Sequence, residues 1–217
     1  MGMATASAKP PGDPGCRRIH PAGTAGRARC AGCLVKTAEM TLLLEFLASL
    51  RSVRHFTDRP VPREQIDQIL DVARWTGSAR NRQPWRFRVV MDKAVQQRLS
   101  RLGQYAGHLA GAPVTVVLLS ADDGRTDTSF DLGRVAQTIS LAAHAAGLGS
   151  CLATLYPDDN VAEASRVLGL EPGWLPQHAM SVGYPATSQQ LPPTAISAGR
   201  LPLTALVTHQ EPAARAD

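Results

Sequence analysis

Four polar clusters interrupt the apolar pattern of this 217-residue chain, and each carries groups able to do chemistry. The first is Arg51-Ser52-Val53-Arg54. On a helix, Arg51 and Arg54 stand at i, i+3 and share a face. Two guanidinium forks and a hydroxyl suit a phosphate monoester. Cations at a helix C-terminus also interact favourably with the helix dipole, and the residues alone leave both readings open. The second cluster runs from Thr76 through Gly77, Ser78, Asn81 and Gln83 to Trp85, and links a helix to a strand. Asn81 and Gln83 each offer a donor and an acceptor. That suits the edge of a planar heterocycle with alternating N–H and C=O groups; a polar loop with a turn proline is the plainer reading. In the third cluster, Gly147 to Tyr156, glycines end a helix and lead into a short strand, so the backbone around Thr154 and Leu155 is able to approach a flat ligand. The fourth is Gly183-Tyr184-Pro185, followed by Arg200, which is either a further cation for a phosphate or an ordinary surface residue.

The elements between these clusters must position them. Leu43, Leu47 and Leu50 recur at i, i+4, i+7 and predict an amphipathic helix that opens at Met40. Ile66, Ile69, Leu70 and Ala73 predict a second helix over Arg63–Arg74, entered through Pro60 and Pro62. Arg86–Met91 reads as a strand, Ala94–Leu102 as a short helix, and Pro113–Ser120 as a buried strand. Asp131–Ala146 reads as a helix with Leu132, Val135, Ile139, Ala142 and Ala146 inward. Residues 160–168 form a helix before Gly169, and His178–Tyr184 a strand. Helices and strands alternate, which predicts a mixed α/β or α+β layered domain. No G-x-G-x-x-G follows a strand and no P-loop is present, so a Rossmann-type nucleotide site is not indicated.

Hydrophobic residues make up 44% and charged residues 19%, as in ordinary globular proteins. The net charge of +5 is concentrated at the N-terminus. Residues 1–39 hold six basic and two acidic side chains, and residues 40–217 hold 17 and 16. A nearly neutral body excludes a nucleic-acid partner as the leading reading. Cys16, Cys30 and Cys33 lie in the leader, leaving Cys151 alone in the body, which implies a reducing, cytoplasmic setting and no disulfide framework. One CxxC beside Cys16 and His20 is a weak zinc signal, so no metal site is expected. Residues 1–39 are expected to be a disordered basic leader, with Met40 as the natural start. Residues 40–210 are expected to form the functional domain and 211–217 a tail.

Taken in order, Arg51-Ser-Val-Arg-His-Phe56, Asn81-Arg-Gln-Pro-Trp-Arg-Phe87, Asp131-Leu-Gly133 with Gln137, Gly147-Leu-Gly-Ser-Cys151, and Gly183-Tyr-Pro185 give the chain its resemblance. It resembles the FMN-dependent nitroreductases from about residue 42 to 208. The resemblance implies an α+β fold, with a mainly antiparallel sheet surrounded by helices, in an intertwined homodimer with FMN at the interface. It implies ping-pong hydride transfer from NADPH or NADH to a nitroaromatic, quinone or enone acceptor; a flavin-binding store or sensor with little turnover is the alternative. By position, Arg51, Ser52 and Arg54 are implied at the phosphate, ribityl and pyrimidine groups, and Ser78, Asn81 and Gln83 at the isoalloxazine. Thr154 and Leu155 are implied to offer N–H groups to flavin N5, and Arg200 to close on the phosphate. No side chain is implied as acid, base or nucleophile, because the flavin carries the chemistry; His55, His108 and His144 are therefore read as structural. The chain departs from the family at Thr154-Leu155, where Gly-Gly or an acidic residue and Gly are common, and at Gly77-Ser78, where Pro-Ser is common. The short stretch between the strand ending at Ser120 and Asp131 implies an open pocket.

Overall fold

The computed structural model describes residues 31–187 and 199–210. Cys16, His20, Cys30, residues 188–198 and the tail from residue 211 lie outside the described residues. Helix α1 spans Ala31–Ser49 and so begins upstream of Met40. The chain divides into two units between Glu45 and Phe46, and the architecture below belongs to the second, Phe46–Asp217.

Four strands form one antiparallel sheet: β1 (Trp85–Val90), β2 (Val114–Ala121), β3 (Gly149–Thr154) and β4 (Trp174–Gly183), in the order β1-β2-β4-β3. Helices α2 (Arg63–Ala73), α3 (Lys93–Leu99), α4 (Thr126–Ala145) and α5 (Asp158–Leu168) pack around it. This is the α+β class with an antiparallel sheet that the resemblance implies. β2 carries the apolar run Val116–Leu119 because both its faces are covered. Val114, Val116 and Leu118 pack with Ile66, Ile69, Leu132, Val135 and Ile139 of α2 and α4. Val117 and Leu119 pack with Leu99 of α3 and Ala164 of α5. Each large side chain so buried contributes about 1.5–3 kcal/mol.

Local chemistry sets the helix ends. Asp92 caps α3 by accepting the Ala94 and Val95 N–H groups at 2.8 and 3.1 Å. Gly169 stops α5 at φ 58°, a left-handed conformation that glycine adopts without a Cβ penalty. Helix α4 begins at Thr126, earlier than its periodicity predicts. The Asp123 carboxylate holds its entry by accepting the Arg125 N–H at 3.1 Å and the Thr128 hydroxyl at 2.9 Å. Within the second unit, Leu47 near the end of α1 is 42% exposed. No helix among the described residues is long and apolar enough to cross a membrane.

Candidate functional site

Helix α1 ends at Ser49, so Arg51 and Arg54 do not share a helix face as their spacing predicts. The chain leaves the helix because Ser52 is drawn into a parallel bridge with Ser150 on the free edge of β3, the Val53 N–H donating to the Ser150 carbonyl at 2.9 Å. Phe56 then bridges Pro185, and the Thr57 N–H donates to the Tyr184 carbonyl at 2.9 Å. Gly149 permits this docking, because a Cβ there would meet the Val53 side chain at 2.6 Å. The segment carrying Arg51, Ser52 and Arg54 is thereby laced onto the outer edge of the sheet.

A cavity of about 620 Å³ lies against this segment. Arg51, Ser52 and Arg200 line it together with Ser150 and Cys151 of β3 and Gln137 of α4. The structure therefore brings the first and fourth clusters to the third. Arg51 turns part of its fork back onto α1, donating to the Ala48 and Leu50 carbonyls at 2.7 and 2.8 Å. It thus closes a helix C-terminus and lines the cavity at once. Arg54 is exposed and does not line the cavity, yet its charge reaches His108 and Cys151. Burial, with help from Arg54, holds His108 down to about 4. Its Nδ1 lies 2.8 Å from the Ser181 hydroxyl. Burial likewise pushes the Cys151 thiol up, which makes it a core residue and a poor nucleophile. His144 stacks on Phe46 at 4.8 Å and meets the Ser49 hydroxyl at 2.8 Å.

The second cluster is not brought to that cavity. Ser78, Asn81 and Gln83 stand apart from it, and their neighbours Thr76 and Gly77 line another cavity of about 600 Å³. Gly133 and Gln137 of α4 line both. The Ser78–Gln83 loop is tightly internally bonded. The Asn81 N–H donates to the Ser78 carbonyl at 2.9 Å, and the Gln83 N–H to the Ser78 hydroxyl at 2.8 Å. The Gln83 amide donates to Asn81 Oδ1 at 3.2 Å. Gln83 is therefore a support for Asn81. Arg80, Asn81 and Gln83 all take positive φ, at 53°, 53° and 50°, a strained arrangement of the kind that persists only where the surroundings enforce it.

At the end of β3, Thr154 and Leu155 separate. The Leu155 N–H donates to the Gln177 carbonyl at 2.8 Å, and its side chain is 1% exposed in the core. Its N–H is thus consumed by the ladder and does not fit the role that the resemblance implies. Antiparallel ladders alternate, so the Thr154 N–H points away from β4, toward the sheet's outer edge. Ser150, Gln137 and Ser140 also line the cavity, and residue type alone did not single them out. The usable signal was that Gln137 and Ser140 sit three apart and so share one face of α4.

Among known proteins, the model of the Nitroreductase family matches residues 47–184. A Methanothermobacter thermautotrophicus protein named "Putative NADH dehydrogenase/NAD(P)H nitroreductase" is 32% identical over 148 residues, 66% of this chain and 78% of its own length. The Bacillus subtilis protein named FMN reductase [NAD(P)H] is 28% identical over 194 residues, covering 79% of this chain and 74% of its own. Among solved structures, an FMN-dependent nitroreductase from Clostridium difficile R20291 superposes with a TM-score of 0.61 at 25% identity, covering 73% of this chain and 99% of that one. The chain belongs to the nitroreductase family, and with it to the oxidoreductases.

Proposed function

We propose that this chain is an FMN-dependent NAD(P)H oxidoreductase that reduces a small nitroaromatic, quinone or enone acceptor, working in the cytoplasm as a homodimer. The observation that carries this reading is the cavity of about 620 Å³ at the laced edge of β3. Its volume falls in the range of cofactor sites. Its lining combines two cations, Arg51 and Arg200, with the hydroxyls of Ser52 and Ser150 and the apolar walls of Leu47, Leu50 and Leu152. That donor set fits FMN, a phosphate monoester joined to a flat ring system. Arg51, Ser52 and Arg200 would hold the phosphate, and the Thr154 N–H, on the outer side of β3, would be offered to the ring.

When bound, FMN supplies the electron transfer, while the protein supplies orientation and electrostatics. The chain's residues bind the cofactor, and no titratable side chain in the cavity is placed as acid or base. Ser78 and Asn81 do not reach this cavity in their own chain, so a second copy supplies them. Support for the dimer comes from apolar side chains left on the surface. Phe130 of α4 is 69% exposed, and Leu201, Leu203 and Leu206 are 67%, 72% and 64% exposed.

Purified protein is the test. It should be yellow, release FMN and not FAD on denaturation, and lose its visible flavin band when NADH or NADPH is added without oxygen. Release of FAD, or failure to take up FMN on reconstitution, overturns the cofactor. A flavin band that neither nicotinamide bleaches leaves a flavin-binding store instead of an enzyme.

A further inference from the structure

We propose that a polar stripe on α4 — Asp127, Asp131, Arg134 and Thr138 — is the positioning device for the Ser78–Gln83 loop, with Asp131 at its centre. This deepens the reading above, and rests on Ser78 and Asn81 meeting FMN. The four residues are spaced by four, three and four along α4, so they line one face. That face adjoins the apolar stripe of Leu132, Val135 and Ile139 that faces the core.

The loop is fastened to this stripe at successive points. The Thr76 hydroxyl donates to the Thr138 hydroxyl at 2.9 Å. The Ala79 N–H donates to Asp131 Oδ2 at 2.9 Å. Arg82 donates to Asp127 at 2.5 Å and to Asp123, just before the helix, at 2.9 Å. Arg134 donates to Asp131 Oδ1 at 3.3 Å and lies across Gly77, where an added Cβ would meet its Nη2 at 3.1 Å. The loop thus runs antiparallel to the helix and is held on both sides of Arg80 and Asn81, two of the residues with positive φ.

Asp131 is 2% exposed, and a buried carboxylate persists where charge-assisted bonds compensate its lost hydration. Both of its oxygens are used, one by the loop backbone and one by Arg134. Nothing in the hydrophobic core requires a carboxylate there. What the carboxylate achieves is to fix the backbone of Ala79, two residues from Asn81. Asp131 touches no reacting atom in this scheme; it is a positioning residue.

The experiment is a double-mutant cycle on the full-length protein freed of flavin, read as the Kd for FMN. Asp131→Ala and Asn81→Ala should each raise Kd about tenfold, the scale of one buried hydrogen bond to a charged group. Combined, they should be no worse than Asn81→Ala alone, because Asp131 acts through the loop that carries Asn81. Asp131→Asn, which keeps an acceptor for the Ala79 N–H, should return Kd close to the starting value. Fully additive losses, or an Asp131→Ala protein that binds normally while Asn81→Ala does not, overturn the positioning role and leave the flavin site standing. An Asn81→Ala protein with unchanged Kd removes the loop from the flavin site, and the inference fails with it. Should Asp131→Ala not fold, the near-isosteric Thr138→Val decides in its place: a raised Kd that vanishes in the Asn81→Ala background supports the stripe, and an unchanged Kd overturns it.

Discussion

The Leu155 N–H donates to the Gln177 carbonyl at 2.8 Å, and this bond divides the end of β3 into a structural residue and an edge residue. Leu155 faces the core at 1% exposure. Leu155→Ala should therefore cost about 2–5 kcal/mol of stability, as other buried leucine truncations do. Urea unfolding measures the loss, and FMN affinity of the folded protein should not change. Weakened flavin binding at full stability would return Leu155 to the site.

Arg54 carries its charge near His108 and Cys151 without lining the cavity, whereas Arg200 lines it directly. Arg200→Ala should weaken FMN binding by about 1.5–3 kcal/mol, the worth of a hydrogen bond to a charged group. Arg54→Ala should act in the same direction but less, since Arg54 reaches the cavity lining only through its charge. Fluorescence titration of apo-protein gives both values, and an unchanged affinity takes the substituted residue out of the site.

His108 stays neutral in the fold, held down to about 4 against an ordinary value of 6.5 by its burial and by Arg54. The unfolded chain therefore binds a proton first as pH falls. Stability is full above pH 6.5 and declines toward about pH 4. His178 is shifted down by burial and adds in the same sense. Thermal melting from pH 7 to 4 should show the decline, and His108→Gln should flatten it. An equally steep profile in that variant assigns the effect elsewhere.

Leu201, Leu203 and Leu206 are exposed near the end of the described chain, close after Arg200. Deleting the residues after Gly199 should abolish dimerisation and flavin retention together. Light scattering and flavin absorbance on one sample check both. A flavin-loaded monomer refutes the shared site.

The sheet was legible because its signals are local. β2 announced itself by an apolar run, and α2 by Ile66, Ile69 and Ala73, all three buried. The end of α1 was not legible: Arg51-Ser52-Val53-Arg54 continues a helical period, and the bridge from Ser52 to Ser150 that breaks it is a contact between residues 98 apart in sequence. For the same reason the residue types around Asp131 reveal no task for it. Its partner, the Ala79 N–H, is a backbone group with no signature in residue type. Leu155 illustrates the remaining limit, since the direction of a single N–H depends on ladder phase.

Among the described residues β1 is an edge strand of the sheet, with Arg86 and Arg88 exposed on it and the Arg86 guanidinium 4.1 Å from the Trp174 ring centroid. An edge strand with free backbone groups is a template on which another chain can polymerise. The two arginines act as gatekeepers against that templating, since a strand arriving in register would have to desolvate their charges. Two residues that do not line the cavity of the proposed cofactor site thus protect the sheet at this edge.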